Sequence, residues 1–197
     1  MGVEPSLVAE DLSVEERIRS IESPVWIGYR LAVEIRDRLE HLLEYPKTHR
    51  MPNLAIIGES NNGKTMLLEN FVRRHSSDTN PALDRSLLPV VMIQTPPSPD
   101  EARLYSALLE RLFASGPQRE PAEVKLSRLQ RMLRELKTQM IILDEFHHAL
   151  ASSATRQRRF LNALKYLGNE LKIPIVLAGI PEGLNALQID GQIANRF

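Results

Sequence analysis

The chain has 197 residues, about one domain's worth, and its 25 basic and 25 acidic side chains leave no formal net charge. With 43% hydrophobic and 25% charged residues it has the balance of a folded globular domain, which excludes wholesale disorder and a polybasic tail. Nucleic acid would have to be met by a local basic patch or by many assembled copies. Cysteine is absent, which removes disulfides, cysteine-based zinc fingers and thiol nucleophiles.

In chain order, residues 1 to 12 read as a loose tail. Its acids stand where a secretory signal needs bases, and no apolar core follows. No later apolar stretch approaches the roughly 18 residues of a bilayer span, so the expected compartment is the cytosol, with no membrane partner. Ser13 and Glu16 form a capping box for a helix that runs to Glu22 and stops before Pro24. A second helix is predicted from Gly28 to Glu44, with Leu31, Ile35, Leu39 and Leu42 on one face and Pro46 as its stop. Leu54 to Ile57 is a short apolar run between Pro52 and Gly58, which suits a strand buried on both faces. A helix from Gly63 to His75, a polar loop from Ser76 to Arg85 and a strand from Pro89 to Gln94 follow.

Ser98 with Glu101 reads as a capping box opening the next helix. Another helix from Pro121 to Lys137 leads into the strand Met140 to Leu143. Residues 155–172 are helical, with Phe160, Leu161, Leu164 and Leu167 inward, and Ile173 to Ala178 is a fourth strand. Strands separated by helices give an α/β class with a mostly parallel sheet flanked by helices and an N-terminal helical extension. The domain division that follows is a tail and helical linker over 1–50 and a core over 51–197. Asn195-Arg196-Phe197 carries no capping or loop signal, so a further strand or domain is expected beyond it.

Two segments carry chemistry. Gly58-Glu59-Ser60-Asn61-Asn62-Gly63-Lys64-Thr65 satisfies G-x-x-x-x-G-K-[ST] after a buried strand and at the first turn of a helix. In that context the glycines let backbone N–H groups wrap phosphate oxygens while the helix N-terminus adds partial positive charge. Lys64 is positioned to neutralise β/γ phosphates, the Thr65 hydroxyl to ligate magnesium, and Met66 continues the site into the helix. Met140 to Leu143 then delivers Asp144 and Glu145 to the carboxyl end of a buried strand, where open α/β sheets bind ligands. Asp144 is expected to hold magnesium and Glu145 to polarise the attacking water. The adjacent glutamate marks the P-loop NTPase branch that supplies its own catalytic carboxylate. In that branch the strand after the acidic pair inserts between the other two.

With these residues in place the chain resembles an AAA+ ATPase of the TniB/TnsC type, over about Glu15 to Phe197. Arg50-Met51-Pro52-Asn53, the Asn61-Asn62-Gly63-Lys64-Thr65-Met66 loop and Asp144-Glu145-Phe146-His147-His148 carry the likeness. Glu16-Arg17-Ile18, Trp26 to Tyr29 and Gln157 to Asn162 with Leu164 support it. The resemblance implies ATP and Mg²⁺ as ligands and self-association into a ring or filament on duplex DNA. It also implies recruitment of a transposase of the integrase class, with hydrolysis resetting the assembly. It makes Arg196 the expected finger toward a neighbour's γ phosphate and places the small helical lid outside these 197 residues.

Other features read either way. Arg156, Arg158 and Arg159 open a helix and either track DNA phosphates or form a solvated face. Gln94 or Thr95 either pairs with Glu145 or caps a strand. Trp26 and Ile27 pack near an adenine or in the core. Arg73-Arg74-His75 suits the negative end of a helix. His147-His148 suggests a metal but is a poor pair for one, because neighbours on a helix diverge by about 100° and cannot easily ligate one ion. Ala178-Gly179-Ile180 lacks the polar side chain that such ATPases usually carry at the end of the fourth strand, so hydrolysis is expected either to be slow or to rely on other groups.

Overall fold

The computed structural model describes residues 30–76, 87–98, 100–117, 119–151 and 153–183. The helix capped by Ser13, the Trp26–Ile27 pair, most of the polar loop and Arg196 lie outside the described residues.

Helix α1 (Arg30–Leu43) is followed by β1 (Leu54–Ile57), α2 (Lys64–Arg74) and β2 (Val90–Gln94). Then come α3 (Glu101–Arg111), α4 (Ala122–Glu135), β3 (Met140–Asp144), a 3₁₀ turn (Phe146–Ala151), α5 (Ala154–Leu171) and β4 (Ile175–Gly179). The strands form one parallel sheet in the order β1-β4-β3-β2. β4 is therefore inserted between the strand of the phosphate loop and the strand of the acidic pair, as the adjacent Asp144–Glu145 implied.

All five residues of β3 are buried, because helices cover both faces of the sheet. Ile141 and Leu143 point into a cluster with Leu104, Leu108, Leu129, Phe160 and Leu164 from α3, α4 and α5. Met140 and Ile142 alternate to the other face, against Leu39, Leu68 and Phe71 from α1 and α2. This period of two with no polar face is the signature of a doubly covered parallel strand.

Three local expectations are corrected. The stripe on α1 begins at Ala32, which is fully buried, while Leu31 is 56% exposed. Asp100, not Ser98, caps α3: its carboxylate accepts from the Arg103 N–H at 2.9 Å, and Ser98 instead offers its carbonyl to the Arg103 guanidinium. β4 starts two residues after the apolar run does. Pro174 has no N–H to give a ladder, and its carbonyl is taken by the Ile141 N–H. Asn53 completes that end by accepting the Ile175 N–H on its side-chain oxygen at 2.9 Å.

Candidate functional site

The carboxyl ends of the four strands gather the residues singled out by the sequence. Ile57 lies in register with Gly179, Gln94 with Asp144, and Leu143 with Leu177. Beyond β1 the chain turns through Gly58 to Gly63. Gly58 N–H donates to the Gly179 carbonyl at 3.2 Å, which anchors the loop to β4. Asn61 and Gly63 both adopt the left-handed region, at φ 63° and 73°. Gly63 is the residue just before α2, so its lack of a Cβ is what allows the sharp entry into the helix. Glu59, Ser60, Asn61 and Asn62 are exposed along the loop, and Met66 sits half-buried one residue past Thr65.

Lys64 lies back across the loop, its Nζ donating to the Gly58 and Glu59 carbonyls at 2.7 Å each. The ammonium is thereby held over the loop's own backbone. Thr65 Oγ1 donates to Asp144 Oδ2 at 2.6 Å, joining residues 79 positions apart. Asp144 is only 4% exposed, and its other oxygen, Oδ1, accepts the Glu145 N–H at 2.8 Å. A buried carboxylate beside an alcohol is a hard oxygen donor set, the kind that suits a magnesium ion.

Glu145 departs from β3 at φ 53°, a left-handed conformation that a residue with a Cβ adopts at some cost. The 3₁₀ turn begins directly after it. Gln94 and Thr95 do not pair with Glu145. Its Oε2 lies 3.2 Å from His147 Nε2, while Thr95 gives its N–H to the Asp144 carbonyl and its own carbonyl to His148 Nδ1. The 3₁₀ turn packs on the end of β4 at Gly179, where a Cβ would lie 3.4 Å from His147 N and 3.5 Å from Phe146 N. A cleft of about 630 Å³ opens beside the acidic pair, with Thr65, Arg73, Gln94, Arg111, Asp144 and Glu145 on its walls.

Arg156, Arg158 and Arg159 are exposed in the first turns of α5, and Arg159 Nη1 stands 3.9 Å from Glu101 Oε1. Arg73 and Arg74 occupy the last turn of α2, where cations meet the helix dipole, and His75 Nε2 lies 3.0 Å from Glu40 of α1. Sequence reasoning missed the convergence of His147 with Glu145. No sequence signal announces it, because it depends on the left-handed backbone of Glu145 just before the 3₁₀ turn.

The family model of the bacterial TniB protein matches residues 17–197. The chain belongs to the TniB family. No curated protein matches it. Among solved structures, the TniB chain is similar to the Aeropyrum pernix ORC1 protein, solved in complex with DNA. The TM-score is 0.63 and the identity 18%, over 88% of this chain and 44% of that one. Cdc6p from Pyrobaculum aerophilum gives a TM-score of 0.59 at 20% identity, over 89% of this chain and 46% of that one. The Aeropyrum pernix ORC2 protein, solved in ADPNP–ADP complexes, gives 0.60 at 18%, over 89% and 48%. The TniB chain spans less than half of each of these chains. At such identities the likeness concerns the fold, which is the α/β P-loop fold of AAA+ proteins. Among the described residues no helix is long and apolar enough to cross a membrane.

Proposed function

We propose that this TniB protein is an ATP-dependent regulator of DNA transposition, one that binds and slowly hydrolyses ATP. The reading is carried by one observation: the Thr65 hydroxyl and the buried Asp144 carboxylate touch at the mouth of a loop with the G-x-x-x-x-G-K-[ST] pattern. The contact brings a hydroxyl and a buried carboxylate from two distant segments to the same point, as a metal-assisted phosphate site requires.

In this proposal the amides between Gly58 and Thr65, including those of Glu59, Ser60, Asn61, Asn62 and Gly63, hold the phosphates. Lys64 leaves the loop carbonyls to meet the β/γ oxygens, and Met66 extends the contact surface. Thr65 and Asp144 are the residues that would hold Mg²⁺, which when bound neutralises charge on the phosphate oxygens. Glu145 is the general base, reached by the attacking water once its carboxylate leaves His147. Arg196 is the proposed finger toward a neighbouring copy, a group worth about 10³–10⁵ in rate where it acts. Arg156, Arg158 and Arg159 are proposed to track phosphates of duplex DNA. Many copies in a ring or filament compensate for the absent net charge, and a transposase of the integrase class is the proposed downstream partner.

The test is DNA binding by the protein with and without ATP. Binding that requires ATP or a non-hydrolysable analogue, and weakens steeply with salt, is the expected result. Equal binding with and without nucleotide counts against it. A second reading, a nucleotide-switched interaction scaffold that leaves DNA alone, is favoured by Gly179 at the end of β4 and by the pairing of Glu145 with His147. Nucleotide-dependent oligomers indifferent to DNA would be its signature.

A further inference from the structure

The turn after β3 brings together three side chains that the proposed ATPase does not explain as a set. One donor atom each from Glu145, His147 and His148 lies within 4.8 Å of the other two. Glu145 Oε2 and His147 Nε2 are already 3.2 Å apart, close to the roughly 3.3 Å between ligands of a tetrahedral ion at about 2.0 Å. The two imidazole rings meet edge to face at a centroid distance of 4.7 Å. Glu145 enters the turn from a left-handed conformation, and both histidines lie within the 3₁₀ turn that follows it.

One outer contact of the kind that orients a metal-binding histidine is in place, at His148. His148 Nδ1 lies 3.1 Å from the Thr95 carbonyl, and a carbonyl can only accept. Nδ1 therefore carries the proton, and Nε2 is left with its lone pair, the arrangement that second-shell carbonyls impose on metal-binding histidines. His147 is backed by Gly183, where a Cβ would lie 3.5 Å from its Cα, and its Nδ1 is buried without a hydrogen-bond partner. Glu145 is 38% exposed, so it has room to turn toward an ion.

We propose that Glu145, His147 and His148 form a site for a borderline-soft dication of the zinc type. Two imidazoles and one carboxylate are three protein ligands with a fourth position open to water. The set is distinct from the oxygen donors of Thr65 and Asp144: imidazole nitrogen favours zinc, whereas magnesium holds to oxygen and gives up its water reluctantly. Resting on the reading of Glu145 as general base, the site is inhibitory. An ion there occupies the carboxylate, so ATP stays bound and turnover stops.

The experiment begins without nucleotide. Zn²⁺ is titrated calorimetrically into the full chain in magnesium-containing buffer, and Co²⁺ is followed by its visible absorption. One equivalent is expected for the wild type. His147→Ala and His148→Ala, each checked for native circular dichroism, should weaken uptake by about tenfold or more. His41→Ala should not. Unchanged Zn²⁺ affinity in both His147→Ala and His148→Ala, or no uptake by the wild type, overturns the site whether or not the protein hydrolyses ATP. In the second arm, Zn²⁺ should lower wild-type ATP turnover while leaving bound ATP analogue undiminished, and should spare His148→Ala. Release of the nucleotide by Zn²⁺ would contradict inhibition through Glu145.

Discussion

The Thr65 hydroxyl donates to the Asp144 carboxylate across 2.6 Å, and much of the site's chemistry follows from that contact. A desolvated carboxylate is tolerated only when something satisfies it, here a hydroxyl on one oxygen and the Glu145 N–H on the other. Thr65→Val keeps the shape and deletes the hydroxyl, leaving Oδ2 unsatisfied. The expected cost is about 1–3 kcal/mol of stability by chemical denaturation, together with loss of the magnesium dependence of nucleotide binding. Glu145→Gln should retain ATP and abolish its turnover, by phosphate release; normal hydrolysis in that variant would mean that another group is the base. At this scale the sequence was legible where a motif is contiguous. Gly58 to Thr65 needs only local turn chemistry, and the alternation of β3 fixes where Asp144 points. Glu145 was less legible. Its partner depends on the left-handed φ and the 3₁₀ turn that follows, and no periodicity in Phe146-His147-His148 announces either.

Among the elements, β3 is the member that holds both layers. Leu143 is completely buried within the larger cluster, and Leu143→Ala should destabilise by about 2–5 kcal/mol in urea unfolding. A loss near zero would mean that the core collapses around the gap. Asp100→Ala at the start of α3 should cost about 1 kcal/mol, whereas Ser98→Ala should cost little. Both residues suit an N-cap by type, so only the bond to the Arg103 N–H decides between them. On α3, burial, assisted by the charge of Glu101, pushes the Tyr105 phenol up to about 12 from 10.0. The folded chain therefore keeps its proton where the unfolded chain loses it. Stability should be unaffected by this group below pH 10.0 and fall as pH rises from there toward 12. Tyr105→Phe should flatten that decline in alkaline denaturation.

For the molecule as a whole, the order β1-β4-β3-β2 is what brings the loop, the acidic pair and the end of β4 to one rim. Strand positions and the parallel class follow from apolar runs separated by helical periods. The order is not a property of any one segment: it became legible only because two acids stand side by side after β3. Surface functions were the least legible part, since an exposed arginine in a neutral chain looks the same on a DNA-binding face as on a solvated one. Arg156, Arg158 and Arg159 stand exposed together at the start of α5, and charge reversal there should reduce DNA affinity and flatten its salt dependence without altering ATP binding. The site is proposed to hold a nucleoside triphosphate in the Gly58–Thr65 loop. Equilibrium titration of ATP with Mg²⁺ into the wild type and Lys64→Ala tests it most directly. Saturable binding by the wild type that is lost in a normally folded Lys64→Ala is the predicted result; equal affinity in the two, or no binding by either, would contradict it.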